Sequence, residues 1–290
     1  MTTDLIKLVM PKNLSIWSKL SMLTLMCIAT FTVMMAQETP ATAPSRPTLS
    51  MFTLDIGYAS IHDSYLTPVT YSGTDVALGY EAMRATRFSP GTWLWQLQVA
   101  ANYNYTENAA GNNELHKLVG DVSFDMQRQW RGVIANRLDL SVGPMTQLRA
   151  GVIYNPANSN NTVTARAHWN VGATGMATWK TRLSRLPITL RYQMHLPVAG
   201  VFFAPEYDES YYEIYLGNHK NLAHLGWWGN RLDMTNYLGA DLHLGSTIVR
   251  IGYRGRIEHW HVNGLKVHDV SHSVVIGIGA NLTAVKSHQQ

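Results

Sequence analysis

The residues of this chain best suited to chemistry are its histidines and their acidic neighbours. Four of them, His259, His261, His268 and His272, crowd together near the C-terminal end. Histidines facing each other across two strands can hold a transition metal, and a histidine beside a serine such as Ser273 can activate it for ester or peptide hydrolysis. On a strand, however, His272 and Ser273 would point to opposite sides, and His259 and His268 flank a turn, where polar residues are at home. Asp241 and His243 lie two apart, share a face on a strand and could act as an acid-base pair; a satisfied interior pair is the better explanation of them. No phosphate-cradling glycine loop, paired-histidine zinc helix or dinucleotide fingerprint is present. The sequence therefore assigns no catalytic residue, no metal site and no cofactor.

These side chains must be positioned by the hairpin that carries them. From Thr247 onward, Val249, Ile251, Tyr253, Gly255 and Ile257 alternate with Arg250, Gly252, Arg254, Arg256 and Glu258. Asn263-Gly264 follows, the strongest short-range signal for a two-residue hairpin turn. With that turn fixed, Val262 pairs with Leu265, Ile257 with Val270, Tyr253 with Val274, Ile251 with Ile276 and Val249 with Ile278. On the other parity Glu258 meets Asp269, Arg256 meets Ser271 and Arg254 meets Ser273, and His259 sits opposite His268. One face suits hydrocarbon and the other water or a polar lumen. The cluster Arg254, Arg256, Glu258 and Asp269 is expected to join an internal salt-bridge lattice, because charges in a confined interior need partners.

The same period of two runs through the chain. Apolar alternation recurs at Phe52 to Tyr58, Val76 to Ala82, Trp93 to Tyr105, Leu118 to Met126, Leu138 to Val152, Val163 to Trp179, Ile188 to Leu196 and Leu232 to Leu244. With the hairpin this gives about ten strands, an even number, as a closed up-and-down barrel requires. Connections alternate in length. Short ones fall around Ser89-Pro90-Gly91, Arg131 to Asn136, Ser184 to Pro187 and Gly245-Ser246; longer ones around residues 62–73, 107–114, 155–161 and 205–230. The tight Asn263-Gly264 turn is the exception on the long side. A soluble sandwich has no reason to segregate its loops in this way. The expected fold is all-β, a transmembrane antiparallel up-and-down barrel, with polar residues such as Asp55, Asp75, Glu81, Arg149, Arg166, Arg191, Asp233 and Arg250 turned inward. Aromatic residues fall into two bands, Trp93, Trp95, Trp130 and Trp179 near the short turns, and Tyr103, Tyr105, Tyr154, Trp227, Trp228 and Trp260 toward the loops.

Composition agrees. The chain is 46% hydrophobic and only 14% charged, low in charge for a soluble protein. Lys7, Lys12 and Lys19 precede an apolar run at residues 20–35, so residues 1–36 read as a secretory signal peptide, 37–50 as a polar linker and 51–290 as the barrel. The only cysteine, Cys27, lies in the signal and lacks the small preceding residue of a lipoprotein. Without the signal, the net charge falls from +4 to about +2, which argues against nucleic acid as a partner. The expected partners are outer-membrane lipid and, through the loops, an extracellular glycan or protein. The long loop supplies Tyr207, Tyr211, Tyr212, Trp227 and Trp228, side chains that give contact area at low entropic cost; alternatively it forms a lid over the barrel mouth. A narrow, porin-like channel and an outer-membrane hydrolase acting on lipid or peptide are the alternative functions.

Within the first long loop, Asp63-Ser64-Tyr65-Leu66-Thr67-Pro68 is followed by Tyr71 and Gly73. This segment resembles that of an uncharacterised outer-membrane β-barrel family of Bacteroidota. The resemblance implies a barrel in the outer membrane and no activity. Ten-stranded outer-membrane proteases would need paired acidic and Asp-His motifs at loop-side strand ends, and none is recognisable there.

Overall fold

The computed structural model describes residues 48–86, 91–159, 161–206, 209–217 and 220–281. The expected signal peptide, most of the linker and the Ser89-Pro90 part of the first short turn lie outside these residues. The strands are β1 (Thr48–Asp63), β2 (Tyr71–Ala85), β3 (Trp93–Asn108), β4 (Glu114–Trp130), β5 (Leu138–Tyr154), β6 (Val163–Leu183), β7 (Leu186–Phe203), β8 (Ala223–Trp227), β9 (Arg231–Leu244), β10 (Thr247–Val262) and β11 (Leu265–Asn281), with one helical turn, α1 (Tyr211–Tyr215). Each strand pairs antiparallel with its neighbour, and β1 pairs with β11 from Leu49↔Asn281 to Asp63↔Val267, which closes the sheet. The result is a ten-stranded barrel with the short β8 added beside the loop end of β7. Closure pairs the backbone around the wall except at the loop end of β7 to β9, which is what allows a sheet to stand in a hydrocarbon solvent.

The C-terminal hairpin has the register its sequence dictates. Val262 pairs with Leu265, Ile257 with Val270, Tyr253 with Val274, and Val249 with Ile278. Asn263 and Gly264 adopt positive φ, 54° and 74°, the left-handed conformation that both central residues of a type I′ turn require and that these two residue types tolerate best. Side chains then alternate around the whole barrel. Phe52, Leu78 and Ile278 are 64%, 65% and 61% exposed on the outside, whereas Asp55, Asp75, Gln96 and Arg250 are almost completely buried inside. Burying ionisable groups and exposing aliphatic ones inverts the soluble arrangement. The strands run from 14 residues in β9 to 21 in β6, apart from β8, more than the ~9–11 needed to cross a bilayer. The wall therefore extends beyond an apolar belt into a taller cylinder.

One place in the wall is irregular. The β7–β9 ladder stops at His195↔Thr235, and from Ala199 to Phe203 β7 pairs instead with β8. Pro197 sits at this change of partner, beside a register shift at Val171/Gly172 of β6. Proline has no N–H to offer a ladder, and its carbonyl accepts from the Trp228 indole N–H at 2.8 Å.

The register makes a test of the two faces. Val274→Arg or Ile276→Arg, both on the exposed apolar side, should cost about 2–4 kcal/mol near the middle of the belt. Ser273→Ala, on the inner side, loses a hydrogen bond to Asp75 and should cost about 1 kcal/mol. Denaturant unfolding of the protein in lipid vesicles measures both; equal costs on the two parities would mean that the faces are assigned wrongly.

Candidate functional site

The barrel interior is filled by charges that find their opposites across it. Glu81 on β2 accepts from Arg191 of β7 at 2.7 Å and from Arg250 of β10 at 2.5 Å. Arg250 also grips Asp241 of β9 with two parallel bonds of 2.6 and 2.8 Å, the fork geometry that guanidinium and carboxylate share. The ring of Tyr237 lies within 5.5–5.8 Å of Arg191, Arg250 and Arg254. Beside this group, Gln96, Gln127, Gln193 and Ser141 form a chain of amide and hydroxyl bonds leading to His195 and Asp125.

A second group lies nearer the loops. Arg149 bridges Asp121 and Glu258 at 2.6 and 2.7 Å. Arg231 donates to Asp233 at 3.1 Å, to Glu258 at 3.2 Å and to the His168 ring nitrogen at 2.6 Å. Lys117 meets Asp269 at 2.6 Å and Arg166 meets Asp63 at 2.6 Å. Arg254 and Arg256 share Asp55, at 2.5 and 3.3 Å. The four residues Arg254, Arg256, Glu258 and Asp269 are thus all in the lumen lattice, but each takes its partner from another strand. Glu258 and Asp269 stand opposite one another in the register, and the cations Arg149, Arg231 and Lys117 offset the repulsion that two like charges would otherwise feel.

The segment singled out in the first loop builds the lid of this interior. Asp63 is buried; its carboxylate takes the Arg166 guanidinium and the Tyr65 backbone N–H at 3.0 Å, and its carbonyl accepts from Leu66 and Thr67. That tight turn drives Tyr65 and Leu66 into the mouth, where they pack with Tyr71, Ile61, Leu115, Ile153, Phe202, Trp260, Leu265 and Val267. Gly73 lies against the Tyr105 carbonyl and Thr106 of β3, with no room for a side chain. Pro68 is exposed on the rim. Other loops are tied to this one: Asn158 donates to the Leu66 carbonyl at 2.8 Å, Tyr65 donates its hydroxyl to the Glu209 carbonyl at 3.0 Å, and Lys266 donates its N–H to Ser64 at 2.8 Å. Burial and the nearby carboxylates of Glu209 and Asp63 push the Tyr65 phenol up to about 12.

Trp260 belongs to this plug and not to an outer aromatic band. It is buried, 5.4 Å from the Phe202 ring and beneath the Arg166 guanidinium. Its parity explains the placement, since Trp260 follows Arg254, Arg256 and Glu258 on the inner face. Tyr103, Tyr105, Tyr154 and Trp130 do stand outside. The plug residues Ile61, Leu115, Ile153, Leu265 and Val267 were not recognisable as a group from alternation alone. They are inner-face positions at which polar residues give way to apolar ones near each loop.

In the long loop, Tyr207 lies outside the described residues, and Tyr211 opens α1. Ser210 caps that turn and exchanges bonds with Glu213 in a capping box, which also holds the Glu213 carboxyl below its ordinary range. Tyr212, Trp227 and Trp228 are 64%, 63% and 57% exposed; among the described residues no ring contact joins Tyr212 to either tryptophan. Asp241 and His243 do not act on each other: Asp241 is held by Arg250, and the His243 ring bonds Thr189 at 2.9 Å, both near the short-turn end. His259 and His268 face each other on the outside, ring centroids 5.7 Å apart. Among the described residues, no three histidine, cysteine or acidic side chains are close enough to hold a metal ion.

A family model described as "Protein of unknown function (DUF3316)" matches residues 20–289. The chain belongs to this family. No curated protein sequence matches it. Among solved structures it is similar to the outer membrane protease OmpT from Escherichia coli, with 7% identity over 84% of this chain and 99% of that one and a TM-score of 0.51. It also aligns with the β domain of the Bordetella autotransporter BrkA (9% identity, 82% and 100% coverage, TM-score 0.39) and with the translocator domain of NalP from Neisseria meningitidis (10%, 90% and 97%, TM-score 0.31). The likeness to OmpT is one of fold: a closed antiparallel barrel of the outer-membrane type.

Two measurements test the lattice and the lid of this DUF3316 protein. Glu81→Gln takes from the buried Arg191 its carboxylate partner and should destabilise the barrel by about 3–5 kcal/mol, read as a lower denaturant midpoint. For Tyr65, the folded state holds the proton to about 12, while the unfolded phenol loses it near 10. Its contribution is therefore complete below about pH 10 and lost as the pH rises toward 12. Loop proteolysis should increase in that window, and Tyr65→Phe should remove this part of the alkaline dependence.

Proposed function

We propose that this protein is an outer-membrane barrel with a closed lumen that acts through its loop-end surface, as a structural element or as a binder of an extracellular glycan or protein. The short-turn end would face the periplasm and the plugged end the outside of the cell. The exposed apolar belt, the barrel fold and the signal peptide read at residues 1–36 all support that location; the resemblance of the Asp63 to Gly73 segment favours a source among the Bacteroidota.

The observation that carries the closed reading is the double obstruction of the bore. The mouth is stopped by the apolar cluster around Tyr65, Leu66 and Trp260, and the middle by the charge lattice, where a cavity of about 60 Å³ lies among Glu81, Asp121, Arg149, His195 and Arg254. That volume suits a few water molecules, not a nutrient. A narrow channel would need a continuous polar path, and the apolar cluster at the mouth argues against one. A hydrolase would need an acid-base pair open to substrate at the rim; Asp241 and His243 lie at the other end with other partners. The exposed Tyr212, Trp227 and Trp228 remain as contact surface, of the residue types that binding surfaces favour.

Reconstituted in planar bilayers, the protein should show no steady conductance, and its band on unboiled gels should migrate differently from the boiled one while fractionating with the outer membrane. An open pore at rest would overturn the closed reading; a soluble protein without heat-modifiable migration would overturn the location.

A further inference from the structure

Barrel closure assembles a row of histidines that the hairpin alone does not contain. His268 on β11 lies opposite His259 on β10 and, on its other side, opposite His62 on β1. All three stand at outward positions near the loop end, and the next outward positions toward the loops are His261 and Lys266, paired with each other and exposed. The row is thus three neighbouring strands wide, its members spaced by the ~5 Å that separates cross-strand side chains.

The electrostatic surroundings are one-sided. On β9, β10, β11, β1 and β2, no outward position within the described residues carries Asp or Glu. The flanking strands present Leu232 and Met234 from β9 and Ser60 and Ser72 from β1 and β2. The carboxylates next in sequence, Asp63, Glu258 and Asp269, point into the lumen, where Arg166, Arg149, Arg231 and Lys117 hold them. The outward carboxylates Glu107 and Glu114 lie further round the wall, on β3 and β4, beside Tyr105. His62, His259, His261, Lys266 and His268 therefore face outward with hydrogen-bond donors, and no ion pair joins them to a carboxylate among the described residues.

Height along the wall says what would meet them. Tyr58, His272 and Tyr253 form a polar-aromatic level on the same strands, with the Tyr253 hydroxyl 2.5 Å from the His272 ring. His268 is four residues nearer the loops, ~13 Å along a strand and ~10 Å along the axis of a tilted barrel. If the aromatic level marks the edge of the hydrocarbon, the row lies just beyond it, at the depth of lipid headgroups.

We propose that His62, His268 and His259, with His261 and Lys266 above them, form a binding site for the phosphate groups of a lipid in the leaflet around the loop end. The inference rests on the outer-membrane reading. Imidazole N–H groups and the Lys266 ammonium donate to phosphate oxygens, and three imidazoles in a row can engage more than one phosphate of the same headgroup. A metal site is the weaker use of these residues, because a straight row does not converge on one point.

The test uses the full barrel in detergent and a bis-phosphorylated glycolipid, lipid A, as probe, with its dephosphorylated form and inorganic phosphate alongside. The site predicts binding of lipid A and little binding of the dephosphorylated lipid. The combined variant His62→Gln, His259→Gln, His268→Gln should lose about tenfold or more in affinity while keeping its heat-modifiable migration, since the three side chains face outward. Undiminished binding by that variant would overturn the site. Inorganic phosphate competing as well as the lipid would show a free-anion site, and binding abolished by EDTA would show a metal bridge; either result overturns the proposal. Absence of the wild-type protein from outer membranes would instead overturn the location on which the site rests.

Discussion

Glu81 stands between Arg191 and Arg250, and the three come from β2, β7 and β10, strands brought around one bore by the pairing of β1 with β11. Closure places these charges within reach of one another, and the charges in turn set what closure can tolerate. A ten-stranded ring leaves only slightly more room than side chains need to fill it. Taking ions out of water into that space is costly unless their geometry satisfies them, so each inner position is constrained by the positions facing it. The bidentate grip of Arg250 on Asp241 and the sharing of Asp55 by Arg254 and Arg256 are local solutions to that one constraint.

Such a lattice occupies the middle of the bore with directed contacts. Hydrophobic burial cannot drive the packing of an interior whose outer wall faces hydrocarbon, because the apolar side chains are already accommodated on the outside. The interior must be specified by directed interactions, and salt bridges with amide chains such as Gln96–Gln193–Gln127 supply direction. The apolar plug at the mouth follows a different rule. There the strands rise above the belt, and Ile61, Leu115, Ile153 and Trp260 cover the lattice from above as an ordinary hydrophobic cluster. The turn begun by Asp63 joins the two regimes: its carboxylate belongs to the lattice through Arg166, and the residues it turns inward belong to the plug.

Much of this is readable in the sequence. The Asn263-Gly264 turn fixed the pairing of Val249 through Leu265, and strict alternation sorted Asp55, Glu81, Arg149 and Arg250 to the inner face, because side-chain direction on a strand is a local property. Partnerships were not readable. Which carboxylate meets Arg254 depends on β1 lying beyond β11, a contact across most of the chain. The strand β8 carried no alternation long enough to register, since five residues pair only with the loop end of β7. Trp260 was legible and misread: aromatic character suggested the outer band, while its parity with Glu258 already placed it inside.

The outer surface shows the same division between local and long-range information. His259 and His268 could be set opposite each other from the turn alone, and with only two histidines the arrangement looked like polar residues flanking a hairpin. His62 adds the third member from the far end of the barrel, by the same β1–β11 pairing that completes the lattice inside. Each strand of the seam thus carries two messages at the same height. Inward, Asp63, Asp269 and Glu258 are neutralised by cations from other strands; outward, the residues beside them in sequence, His62, His268 and His259, share their strands with no outward carboxylate among the described residues. Alternation separates the two sets to opposite sides of a single layer of backbone. An interior that takes in the carboxylates leaves no outward Asp or Glu among the described residues of these strands, so the rule that fills the lumen also shapes the surface that lipid headgroups would encounter.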